Sequence, residues 1–167
     1  MERETQKFID ILSEKIVLYE KLLEVFAEEK EAIMKNSLPG ILEKLREKEA
    51  LMGNLEINEK KRKEIIAYYS AKFDVPKQKL TLSRISEFFE GSVSGKLLDL
   101  RNKLKEKMDA VADAGQGNKK LIAACSSSLD GTRYFFERLT GQGQEYSASG
   151  KARSSVSVQG RVFNSKA

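Results

Sequence analysis

Few stretches of this sequence hold residue types that do chemistry. Histidine is absent, which removes the usual acid, base and metal ligand. One cysteine, Cys125, supports neither a disulfide nor a zinc site. Ser126-Ser127-Ser128 follows it with no base in its sequence context, so nucleophilic catalysis is not expected. Gly115-Gln116-Gly117-Asn118-Lys119-Lys120 looks like a phosphate loop only on the surface. It lacks the Gly-Lys-Ser/Thr spacing and has no strand before it. The basic run Lys60-Lys61-Arg62-Lys63 is bracketed by Glu59 and Glu64, and reads as a solvated helix face rather than a nucleic-acid patch. No enzyme, cofactor, metal or small-molecule substrate is expected.

Binding surfaces are the remaining chemistry. Tyr134, Phe135 and Phe136 are consecutive. Residues adjacent on a helix point about 100° apart, so one packing seam takes Phe136 and part of Phe135 and leaves Tyr134 turned away. Either another element covers Tyr134 or these rings form a partner-binding face.

Long helices must position these residues. The chain has 167 residues, of which 33% are charged and 8% aromatic, with no Trp and two Pro. This is the balance of an elongated all-α protein. From Leu104 an uncharged seam of three- and four-residue steps runs through Met108, Val111, Gly115, Asn118, Ile122, Cys125, Leu129, Thr132, Phe136 and Leu139. It predicts one helix over about Gly95–Leu139, capped by Ser94 after a turn at Glu90–Ser94. Gly115 and Gly117 are then either a close helix approach or a point of give.

Upstream, Phe8, Ile11, Leu12, Ile16, Tyr19, Leu22, Leu23, Phe26 and Ile33 predict a helix over Glu2–Lys35. Asn36-Ser37 ends it, Ser37 caps the next, and Pro39 sits in that helix's first turn, which makes an antiparallel hairpin. The second helix is expected over Leu38–Lys72. Its seam would be Leu38, Ile41, Leu42, Leu45, Met52, Leu55, Ile65, Ile66, Tyr69 and Phe73, with supporting pairs Glu56–Lys60 and Glu59–Lys63. Pro76 stops it. A short helix within Leu80–Phe89 plugs the end of the bundle. The expected architecture is an elongated antiparallel bundle of three long helices and a short connecting helix over residues 1–140, with a flexible basic tail over 141–167.

That tail carries Lys151, Arg153, Arg161 and Lys166 against Glu145, within a net charge of +5. Val156, Val158, Gly160 and Val162 alternate like a strand with no partner in the chain. The charged start, MERETQKFIDIL, lacks the apolar core of a signal peptide, and no apolar run nears the roughly 20 residues a span needs. A cytoplasmic protein is expected.

The pattern resembles the FlgN-type flagellar export chaperones. The hairpin carries part of the likeness, in Tyr19-x-x-Leu22-Leu23, Glu28-Glu29-x-x-Ala32-Ile33, Leu42-x-x-Leu45-x-x-Lys48-Glu49-x-Leu51, Leu55 and Arg62. Leu100-Arg101 and Asn118-x-x-Leu121-Ile122 in the long helix add to it, as does Tyr146-Ser147-Ala148-Ser149-Gly150 beyond. The chain departs in having Gly115-x-x-Asn118 where the family often has Asn-x-x-Asn, and in its basic charge.

The resemblance implies a non-enzymatic cytoplasmic chaperone of type III export. Such a protein binds hook–filament junction subunits, prevents their early association and delivers them to the export gate. It implies client binding around Leu129, Tyr134, Phe135, Phe136 and Leu139. Gate contact falls to Tyr146 and Gly150. The basic, valine-alternating segment past Gly150 is a further departure from the family, and its alternation alone makes Val156, Val158 and Val162 a further tail contact. The membrane is met only through the export apparatus. Two other readings stand beside it: a coiled-coil adaptor acting by self-association, and a nucleic-acid or membrane-surface binder using the basic tail. The seam can close within one chain or between copies, which leaves a homo-oligomer open.

Overall fold

The computed structural model describes residues 2–140, with side chains through residue 128. The chain divides into two units, Met1–Leu121 and Ile122–Ala167. Unit one holds α1 (Glu2–Met34), α2 (Leu38–Phe73), a 3-10 turn (Lys77–Lys79), α3 (Leu82–Ser86) and the start of α4 (Gly91–Thr140). All described regular elements are helical, as the apolar periodicity predicts.

The hairpin turn is built from local chemistry. Asn36 adopts the left-handed conformation (φ 50°) that Asn tolerates. Its N–H bonds to Ile33 O at 3.0 Å, and the Ser37 N–H bonds to Ala32 O at 2.9 Å. That pair is a Schellman closure of α1. Ser37 then caps α2 by accepting from the Gly40 N–H at 3.3 Å, with Pro39 in the first turn, where its missing N–H costs nothing. At the far end Asp74 (φ 51°) closes α2, and Thr81 caps α3 through the Arg84 N–H at 3.1 Å.

The core is densest at that end. Phe8, Tyr69, Ile85 and Leu97 are fully buried. Phe73 stacks on Phe88 with centroids 4.1 Å apart, and Phe8 meets Tyr69 edge-on at 5.6 Å. The Tyr69 hydroxyl reaches Thr5 Oγ1 at 3.2 Å, so the one polar atom of that ring is satisfied. The expected plug is therefore present, formed by α3 and the two phenylalanines after it. A second cluster of Leu18, Leu22 and Leu55 sits midway along the hairpin.

Four expectations need correction. First, α4 begins at Gly91, not at Gly95 behind a Ser94 cap. Gly91 takes φ +61°, reversing the chain, and Val93 packs against the core so that the helix starts early. Second, Met108 and Ile122 are 50% and 44% exposed. Among described residues the buried positions on α4 are Leu97, Leu104 and Asn118, with Val93, Leu100 and Val111 packed on the core clusters and Gly115 against Phe26. Met108 and Ile122 are thus the predicted seam residues of α4 that stand open, while Gly115 between them is covered by the Phe26 ring.

Third, Leu42 and Leu45 stand 47% and 44% exposed, while the side chains of Lys44 and Lys48 are 18% and 19% exposed. The α2 face toward α1 is covered by lysine stems whose ammonium groups reach Glu28 and Glu29. Nor do the helix pairs form as expected: Glu59 bonds Arg62 and Lys15, not Lys63, and Glu56–Lys60 is not among the ion pairs of the described residues.

Gly115 is the close approach: a Cβ there would lie 3.3 Å from Phe26 Cζ, whereas Gly53 and Gly117 face open space. Gly53→Ala and Gly117→Ala should each raise the unfolding free energy by about 0.5–1 kcal/mol in urea titration. Gly115→Ala should gain clearly less, because the Phe26 ring must shift. Equal gains at all three positions would contradict the close approach.

Candidate functional site

Two asparagines cross from neighbouring helices onto α1 in the same way. Asn58 of α2 donates through Nδ2 to Ile11 O at 2.9 Å and to Glu14 Oε2 at 3.0 Å. Asn118 of α4 donates through Nδ2 to Phe26 O at 2.7 Å and to Glu29 Oε2 at 2.8 Å. Each amide thus grips a main-chain carbonyl and the carboxylate three residues on, at two levels about four turns apart on α1. Each carboxylate also meets a lysine of α2: Glu14 meets Lys61 at 3.4 Å, and Glu29 meets Lys48.

Burial sets what these contacts are worth. Asn58, Asn118 and Glu29 are 1%, 5% and 3% exposed. A buried carboxylate is tolerated only when its lone pairs are met, and Glu29 is met from both sides. Lys48 Nζ also lies 5.2 Å from the Phe26 ring centroid, a cation–π contact in the same cluster. Three residues of the resemblance motifs, Glu29, Lys48 and Asn118, therefore converge on one point. Their role is to hold three helices in register. Sequence reasoning placed Asn118 on the seam but gave it no partner, and it passed over Asn58, an uncharged polar residue flanked by Ile57 and Glu59 with no distinguishing spacing.

Around these clamps the surface is ionic. Hydrogen bonds first from Arg62 and then from Lys15 hold Glu59 at a pKa of about 2, well below the usual carboxylate range. Carboxylates of Glu28 and Glu47 raise Lys44 above its ordinary value. Burial lifts the Tyr69 phenol. No group of His, Cys, Asp and Glu among the described residues could hold a metal ion, and no described helix is long and apolar enough to cross a membrane.

Of the expected contact residues, Leu129, Tyr134, Phe135, Phe136 and Leu139 lie within α4, and their side chains are outside the described set. Tyr146, Gly150, Val156, Val158 and Val162 lie outside the described residues altogether.

A helical hairpin carrying a third long helix, locked by buried amides, defines an all-α bundle. The family model described as "FlgN protein" matches residues 1–154. The chain belongs to the FlgN family, one of chaperones in flagellar assembly and export. No curated relative and no solved structure matches it.

Asn118→Ala should cost about 2–3 kcal/mol, since it takes a hydrogen bond from a buried carboxylate, whereas Gln116→Ala on the exposed face should change stability by less than about 0.5 kcal/mol. A loss below about 0.5 kcal/mol for Asn118→Ala would show that the clamp is idle. Glu59→Gln tests the ion pairs. Its folded pKa is depressed, so its contribution is complete above the unfolded value of 4.5 and is lost as pH falls toward about 2. The variant should be less stable by about 1 kcal/mol at pH 7, allowing for solvent screening, and equal to the parent near pH 2. A deficit that persisted at pH 2 would rule out the ionic origin.

Proposed function

We propose that this chain is a cytoplasmic chaperone of flagellar type III export that binds hook–filament junction subunits, prevents their premature association and delivers them to the export gate. The observation that carries the reading is the family match across residues 1–154, which takes in the whole bundle together with Tyr146 and Gly150. Residues 1–140 form the chaperone domain and residues 141–167 its basic tail. Client capture is assigned to Leu129, Tyr134, Phe135, Phe136 and Leu139. Gate contact is assigned to Tyr146 and Gly150, with Val156, Val158 and Val162 as a further contact segment. The protein works by binding rather than by catalysis. Reversible capture suits the task, because ordering costs incurred on binding offset part of the contact energy and keep release feasible.

The test is co-purification from a flagellated bacterium. The full chain should bring down a hook–filament junction subunit, and a chain ending at Gln144 should lose its contact with the gate component while its thermal unfolding is unchanged. The double variant Phe135→Ala/Phe136→Ala should lose the junction subunit. Recovery of no flagellar protein with the full chain would overturn the reading.

A further inference from the structure

A groove floored by α1 lies between α2 and α4. It consists of two hollows of about 460 and 530 Å³ that meet at the Lys15–Glu59 ion pair. Tyr19, Leu22, Leu55 and Val111 line the first hollow, and Leu12 and Leu104 line the second. Met52 and Met108, at 51% and 50% exposure, edge one hollow each. Methionine is the apolar side chain best able to adapt to an incoming surface.

The rim is basic. Lys60 and Lys63 border the first hollow, and Arg101 and Lys105 border the second. None of these four forms an ion pair among the described residues. Glu56 and Asp109 are the rim carboxylates in the same position, while Lys15, Arg62 and Glu59 are paired with one another. The unpaired rim is therefore positive by two charges, four cations against two carboxylates.

The walls decide the shape of an occupant. The main chains of α2 and α4 are spent on their own helical hydrogen bonds, so a segment lying in the groove finds no main-chain partners there, which favours one that satisfies its own backbone as a helix. From Arg101 to Val111 the groove is about 15 Å long, near three helical turns. We propose that the α2–α4 groove takes an amphipathic helix of a partner protein, with an apolar seam against Met52, Val111 and Met108 and acidic residues on its flanks. The helix would stand as the fourth member of the bundle. This site is separate from the C-terminal residues assigned to client capture, and it goes beyond that assignment.

Two fluorescein-labelled synthetic helical peptides with identical leucine seams, one flanked by Glu and one by Lys, test this against the full chain by anisotropy. The Glu-flanked peptide should bind about tenfold or more tightly than the other, and more weakly as salt rises. Met52→Glu and Met108→Glu, at half-exposed positions where the fold tolerates charge, should each weaken it by about tenfold. Val17→Glu, at an exposed apolar position outside both hollows, should leave binding unchanged. Absence of binding, equal binding of the two peptides, or equal loss in Val17→Glu would overturn the proposal. So would sedimentation showing a dimer that Met108→Glu dissociates, because a second copy would then fill the groove. None of these outcomes bears on the co-purification test, which reads the C-terminal residues.

Discussion

Two side-chain amides set the register of everything stacked on α1. An asparagine Nδ2 has two hydrogens, and in both Asn58 and Asn118 both are used, one on a main-chain carbonyl and one on a carboxylate. Leucines slide past one another at small cost, but these amides do not. Slipping α4 by one residue would leave Glu29, 3% exposed, without its Asn118 bond. An unmet buried carboxylate costs several kcal/mol, more than a displaced apolar contact. The apolar seam makes the helices associate, and the amides select one alignment among several that the seam would accept.

The nature of the contacts changes along the hairpin. At the α3 end the core is aromatic and dry, with Phe8, Tyr69, Phe73 and Phe88 in ring contact. Midway it is aliphatic. Toward the Asn36 turn it becomes ionic, with Lys44 on Glu28 and Lys48 on Glu29. The leucines on α2 near that turn face outward. The strongest apolar anchoring therefore lies beside the short helix, and the other end depends on charges held by a few carboxylates.

Fold class, the three long helices, the hairpin turn and its Ser37 cap were all legible from apolar spacing and turn residues, because those signals are local. The phase of α2 between Leu38 and Met52 was not. Lys44 and Lys48 fall off the predicted seam, yet their stems lie against α1, where their ammonium groups meet Glu28 and Glu29 of the opposite helix. The start of α4 was missed because Ser94 is a good cap in isolation, while Val93 and Leu97 packing into a distant core draws the helix back to Gly91. Asn118 was visible as an uncharged seam residue, but its function depends on residues some ninety positions away. Local chemistry reads well in one dimension, and pairing does not.

The heptad spacing of four inward-facing positions on α4 has a mechanical consequence. Leu97, Leu104, Val111 and Asn118 act like successive teeth of a zip. Each buried apolar tooth is worth roughly 1.5–3 kcal/mol, and letting go of one does not force the next to open. Detachment can stop after any tooth, leaving α4 partly fastened. Asn118, the last buried tooth among the described residues, is the one whose release would strip the 3%-exposed Glu29 carboxylate of a hydrogen bond, so it resists opening more than its apolar neighbours and α4 loosens by degrees rather than all at once.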